Sequence, residues 1–280
     1  MKHLLISVLC LCPFIGFGQI NSPDASPAAT ITQALGFGTV TVEYNRPQLN
    51  GRNMFEQLTR EGQVWRTGAN MATRLTTTEA IKIEGKELPA GKYSIYSIPG
   101  KDAWTIIINK KIQWGTVYEE AEDLMRITVA TRQTDEREES FMFYFTNATA
   151  EKATLGFKWE NTKVELGLEA PVYEKVLAQI KEVMADPSKA EPGDFYTASD
   201  FYLKNNLDSK KALEWANKFA EMNPDKYWSY RLQARAYAAN EDFEKAIEAA
   251  AKSTGMAKEA GNEDYVFMNT RDIKKWMGKK

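Results

Sequence analysis

Tyr93-Ser-Ile-Tyr-Ser-Ile-Pro-Gly-Lys-Asp-Ala-Trp-Thr-Ile-Ile-Ile-Asn109 is the stretch on which the fold turns. Two runs rich in β-branched and aromatic residues flank Pro99-Gly100, a pair suited to the centre of a type II turn because Pro presets a negative φ and Gly accepts a positive one. The second run must therefore return beside the first as an antiparallel strand. Its Ile106 and Ile108 point to one side and Ile107 to the other, so this strand is expected to be buried on both faces. Working outward, Val40, Val42 and Tyr44 alternate with polar neighbours, Ile81–Ile83 is followed by the turn Glu84–Glu87, and Arg74–Thr78 is β-branched. Downstream, strands are expected at Leu124–Thr131, Phe141–Thr146, Lys152–Trp159 and Lys163–Glu169, with Asp135–Glu139 as a solvated hairpin tip. These strands predict an antiparallel β-sandwich or jelly-roll-like domain over residues 30–170, after an extended lead-in at 19–29.

Beyond Ala170 the composition shifts to Ala, Lys, Glu and Leu. Residues 171–186 read as a connecting helix with Val172, Val176 and Ile180 on one face, and 187–193 as a linker. The remainder, 194–280, repeats with a period of 34 residues: Asn206–Lys218 aligns with Asn240–Lys252, and seven of the thirteen pairs are identical, which decides for a true repeat. Ala212 and Ala246 occupy the small position where paired helices approach, and Pro224 closes the first unit. This resembles tetratricopeptide helix pairs. The predicted class is α+β in two domains, a β domain followed by a helical repeat domain.

The chain opens with Lys2, an apolar run from Leu4 to Phe17, and Gly16-Phe17-Gly18. That order is the pattern of a secretory signal over residues 1–18, and it places cleavage before Gln19. The run falls short of the roughly 18–20 residues that span a bilayer, so no integral membrane segment is expected after cleavage. His3, Cys10 and Cys12 are the only histidine and cysteines of the 280 residues, and all three lie in this segment. A mature chain without them has no Ser-His-Asp triad, no thiol chemistry and no imidazole or thiolate zinc site. No metal and no cofactor is expected. A formal charge of -2 gives no reason to expect a nucleic-acid partner.

Gly62-Gln-Val-Trp-Arg-Thr-Gly-Ala-Asn-Met-Ala-Thr-Arg74 is too polar for a core strand and too rich in Trp and Arg for a linker. Arg46, Arg52, Trp65, Arg66 and Asn70, with Arg74, are the candidate ligand-binding residues, because a guanidinium fork pairs with carboxylate or phosphate. The same arginines could each tie a loop to a carboxylate or carbonyl of their own domain. Alternation along an extended segment sets Trp65 inward and Arg66 toward a polar cavity or the surface. Trp65, Trp104, Trp114, Tyr93 and Tyr96 could offer a platform for a sugar ring. A carboxylate pair drawn from residues such as Glu43, Glu79 and Asp102 could act on glycosides without His or Cys.

Set side by side, Tyr44-Asn-Arg-Pro47, Gly51-Arg52, Gly62–Asn70, Leu88–Ser94, Ile98-Pro-Gly100, Trp104-Thr-Ile106 and Trp114-Gly115 resemble the secreted bacterial domain-of-unknown-function family numbered 2911, over about residues 26–169. The resemblance implies an extracytoplasmic β domain in a Gram-negative bacterium, periplasmic or extracellular, and brings no established activity. It also implies Glu at position 71, where this chain has Met71. The reading that follows is a non-catalytic envelope module that takes a small anionic or sugar ligand in its β domain and a protein or peptide partner on its helical repeats. The alternative is a carboxylate-dependent hydrolase acting on glycans.

Overall fold

The computed structural model describes residues 22–279; the expected signal segment, with His3, Cys10 and Cys12, lies outside the described residues. The chain divides into two compact units, the first ending at Val172 and the second beginning at Tyr173.

The first unit holds ten strands: β1 (Ala28–Leu35), β2 (Gly38–Asn45), β3 (Thr73–Thr77), β4 (Ile81–Ile83), β5 (Lys86–Leu88), β6 (Gly91–Ile98), β7 (Ala103–Asn109), β8 (Asp123–Ala130), β9 (Arg132–Thr146) and β10 (Lys152–Glu169). They form two antiparallel sheets, ordered β1-β2-β3-β6-β7-β8 and β5-β4-β10-β9. Period-two alternation explains the burial. Val40, Val42, Leu75, Ile95, Trp104, Ile106 and Ile108 from the first sheet share one core with Ile83, Phe141, Phe143, Leu155, Phe157, Val164 and Leu166 from the second.

β6 and β7 pair as the sequence requires, Ile95 opposite Ile108 and Ser97 opposite Ile106. The connection differs from the expected type II turn, because Gly100 does not adopt a positive φ. Glycine is required there by space: a Cβ would lie 2.4 Å from the Ala103 carbonyl oxygen. Ile107 is fully buried on the opposite face, together with Ala72 and Tyr96, so β7 is covered on both sides.

β10 cannot be straight. Its seventeen steps of roughly 3.3 Å would separate Lys152 from Glu169 by about 56 Å, yet their side chains form an ion pair at 3.8 Å, and Ala170 N donates to Glu151 O at 2.8 Å. The strand reverses at Glu160, whose φ is +53°. Its two arms are the two segments expected from sequence. Asp135–Glu139 is not a free hairpin tip but part of β9, held against this reversal by Arg137 to Glu160 at 3.6 Å and by Asn161 Nδ2 donating to Thr134 O at 2.9 Å.

The second unit is built from α1 (Val172–Val183), α2 (Pro192–Lys204), α3 (Ser209–Met222), α4 (Tyr227–Ala239), α5 (Phe243–Glu259) and α6 (Glu263–Met277). α1, expected as a connector, brings Ile180 into a core with Phe195, Ala198, Tyr202, Trp215 and Phe219. The repeated residues have repeated jobs. Asp208 and Asp242 cap α3 and α5 by accepting backbone N–H bonds, and Ala212 and Ala246 are fully buried.

Candidate functional site

Residues 62–74 run from the surface to the start of β3. Trp65 N donates to Ser97 O at 2.7 Å and Ser97 N to Trp65 O at 2.8 Å, which hooks the segment onto β6. Thr67, Gly68 and Asn70 all have positive φ, and the turn they make is locked by Thr73 Oγ1 donating to Thr67 O at 2.6 Å and by a 2.8 Å bond between the Thr67 and Ser97 hydroxyls. Gly68 is confined as well, since a Cβ would sit 3.1 Å from Asn45 O.

Alternation then assigns the side chains. Trp65 turns inward, stacks on Trp159 at 5.6 Å, and meets Trp104 and Phe141 edge-on. Arg66 turns the other way, where its stem meets Gly115: a Cβ on Gly115 would lie 2.3 Å from Arg66 Cδ, 2.8 Å from Asn70 O and 3.0 Å from Ala72 N. Arg66 is half-buried. Its Nε is inaccessible to solvent and has no hydrogen-bond partner, and burial pulls the guanidinium below the usual arginine range. No ion pair reaches it among the described residues.

The other candidates are occupied within the fold. Arg46 Nε donates to Phe141 O at 3.1 Å, and Arg52 donates to Leu49 O at 2.9 Å and Gln48 O at 3.0 Å. Arg74 pairs with Glu43 at 2.8 Å, so one carboxylate considered for catalysis is already neutralised. Of the aromatics proposed as a platform, Trp65 and Trp104 belong to the core, Tyr93 and Tyr96 are buried, and Trp114 is 54 % exposed. No group of three or more His, Cys, Asp or Glu side chains among the described residues could hold a metal ion. No described helix is long and apolar enough to cross a membrane.

A family described as protein of unknown function (DUF2911) matches residues 26–168, just over half the chain. The chain belongs to this family. No curated protein matches it significantly. Among solved structures, the solution structure of protein BPP2914 from Bordetella parapertussis is similar at 13 % identity, covering 39 % of this chain and 90 % of that one with a TM-score of 0.32.

In this DUF2911 member the segment 110–122 was anticipated at the site only through Trp114, as one of the platform aromatics. It lies across the outer face of the first sheet. Tyr96 Oη donates to Val117 O at 3.0 Å, Asn109 Nδ2 to Glu119 O at 3.0 Å, and Tyr118 packs on Tyr96 at 5.0 Å. Tyr118 Oη donates to Asp123 at 2.7 Å while Arg126 grips both. Burial and the Asp123 carboxylate push the Tyr118 phenol up to about 12. The Trp114-Gly115 pair was the one signal in this segment, since glycine beside an exposed tryptophan marks a close backbone approach.

Proposed function

We propose that this protein is an exported, non-catalytic binding module, with an anion-binding site at Arg66 in its β unit and a tetratricopeptide-like helical unit that receives a protein or peptide partner. The observation that carries the reading is the state of Arg66, a half-buried guanidinium with no carboxylate and no carbonyl on its Nε. The outer nitrogens of the fork have no partner among the described residues and are not among the buried unpartnered atoms, so they stay able to pair with an anion. The space between the sheets is filled by Trp65, Trp104, Trp159, Phe141 and Phe157, which favours a surface site over a deep catalytic cleft. Export rests on the order of charge, apolar run and small residues in 1–18.

Arg66→Ala tests the site. A binding arginine should leave the melting temperature unchanged or raised, while complementation of a deletion strain is lost. A structural arginine, acting through the packing of its stem against position 115, should instead lower the melting temperature on removal, and that outcome would overturn the proposal. Intact mass of the protein recovered from a Gram-negative envelope checks export: the expected species begins at Gln19, and retention of residues 1–18 would refute it.

A further inference from the structure

We infer that β1 is a self-association edge, along which two copies of this chain join antiparallel into one continuous sheet. The two sheets have four edge strands, and three of them are blocked. β5 is only three residues long. β9 is covered by residues 47–49, with Phe141 N donating to Pro47 O at 2.9 Å and Leu49 N to Glu139 O at 3.0 Å. β8 carries Asp123 and Arg126, shifts register between Ile108 and Asn109 of its partner, and gives the Arg126 carbonyl to Lys86 Nζ at 2.7 Å. Short length, charge, bulges and covering loops are the devices that keep sheet edges from pairing. β1 has none of them among the described residues. Its sequence Ala28-Ala-Thr-Ile-Thr-Gln-Ala-Leu35 contains no charge and no proline, and all eight residues pair with β2 without a register shift.

Ladder phase identifies the free backbone groups. Arg46 N donates to Pro27 O at 2.9 Å, one step beyond the Ala28–Asn45 pair. Hydrogen-bonded and non-hydrogen-bonded pairs alternate in an antiparallel ladder, so Ala29, Ile31, Gln33 and Leu35 bond to β2, while Ala28, Thr30, Thr32 and Ala34 turn their N–H and C=O groups outward. These four residues are exposed. Of their outward groups only the Ala34 carbonyl has a partner among the described residues, the Gln33 side chain at 3.0 Å. The order of residues fits a second β1 as the occupant. Turned antiparallel about Ile31, the strand sets Thr30 opposite Thr32 and Ala28 opposite Ala34, which are the residues whose outward groups can exchange hydrogen bonds. Thr beside Thr is a favourable cross-strand pair, and no charge meets its like. On the other face Ala29 and Ile31 are only partly buried against the core, and Ile31 would meet its own copy there. Such a two-fold pairing is closed, since it occupies the open edge of both copies and leaves none for a third.

The test is sedimentation velocity of the protein over a range of concentrations. One strand pair makes a small interface, so the wild type is expected to pass from monomer to dimer with a Kd on the order of 10–100 μM. Thr30→Lys/Thr32→Lys and Thr30→Glu/Thr32→Glu each set like charges opposite one another at both Thr pairs. Each variant should bind its own copy at least about tenfold more weakly than the wild type, and an equal mixture of the two should recover the dimer. Hydrogen exchange of the wild type reads the same contact without any substitution. The Thr30 and Thr32 amides should slow as concentration rises through the Kd, and those of Ala29 and Ile31, already bonded to β2, should change least. A wild type that stays monomeric up to about ten times the upper Kd overturns the inference. So does a dimer that survives the lysine variant, a mixture no more associated than its two components, or Thr30 and Thr32 amides indifferent to concentration.

Discussion

Arg66 and Gly115 form one unit at the scale of single residues, because the arginine can occupy its groove only while position 115 has no side chain. Gly115→Ala would press a methyl group onto Arg66 Cδ and onto the backbone at Asn70 and Ala72. The arginine stem can swing aside and the backbone cannot. The expected result is a loss of about 1–3 kcal/mol in urea denaturation together with loss of anion binding; unchanged binding would show that the groove tolerates the methyl. Trp65 carries a different load, and Trp65→Ala, which removes the stack on Trp159, should cost about 3 kcal/mol. Tyr118 adds a pH dependence. Its folded-state phenol is raised to about 12 by burial and the Asp123 hydrogen bond, so its contribution to stability is complete below the unfolded value near 10 and is lost as pH rises from there toward 12. Ultraviolet titration of wild type against Tyr118→Phe should show a late tyrosinate step missing from the variant. Alternation made the opposite directions of Trp65 and Arg66 legible in the sequence. The missing partner of Arg66 was not legible, because which carboxylate reaches an arginine depends on how distant strands pack.

Among the elements, the 34-residue helical repeat is legible in the sequence because its signals are local. Asp208 and Asp242 stand at the same place in the 34-residue period, and each accepts from backbone N–H groups of the first turn that follows, at 3.1 Å from Lys210 and Lys211 and at 3.2 Å from Lys245. Asp208→Ala and Asp242→Ala should each cost about 1 kcal/mol, and the double variant about the sum, since the two caps share no partner. Near-zero cost at both would show that tertiary packing alone sets the helix starts. The strands were read from period two, which gives their faces but neither their turns nor their neighbours. At Gly100 the close Ala103 carbonyl, not a positive φ, excludes a side chain, and that proximity is a tertiary fact which turn chemistry does not carry. The charged run Asp135–Glu139 reads as solvent-facing in isolation; only the reversal of β10 supplies Glu160 and Asn161 as partners.

At the scale of the whole molecule, the shift in composition near Ala170 located the change from sheet to helix, but it left the allegiance of α1 open, because one amphipathic helix can cover either neighbour. Its apolar stripe settles the matter. Ile180 is buried with Phe195, Tyr202 and Trp215, and Val176, Leu177 and Met184 pack around the same cluster. α1 is therefore part of the helical core, and the 187–193 segment, which includes a short 3-10 turn at Pro187–Lys189, runs within the second unit. Two fragments test this. Residues 173–280 should fold with a single cooperative transition. Residues 190–280, which lack α1, lose a buried Ile and uncover the aromatic residues beneath it, a change expected to cost at least the roughly 2–5 kcal/mol of a large-to-small core substitution. In a unit of this size a loss of that order lowers the melting temperature by about eight degrees or more, on about 4–8 °C per kcal/mol. Equal melting temperatures for the two fragments would return α1 to the role of a connector.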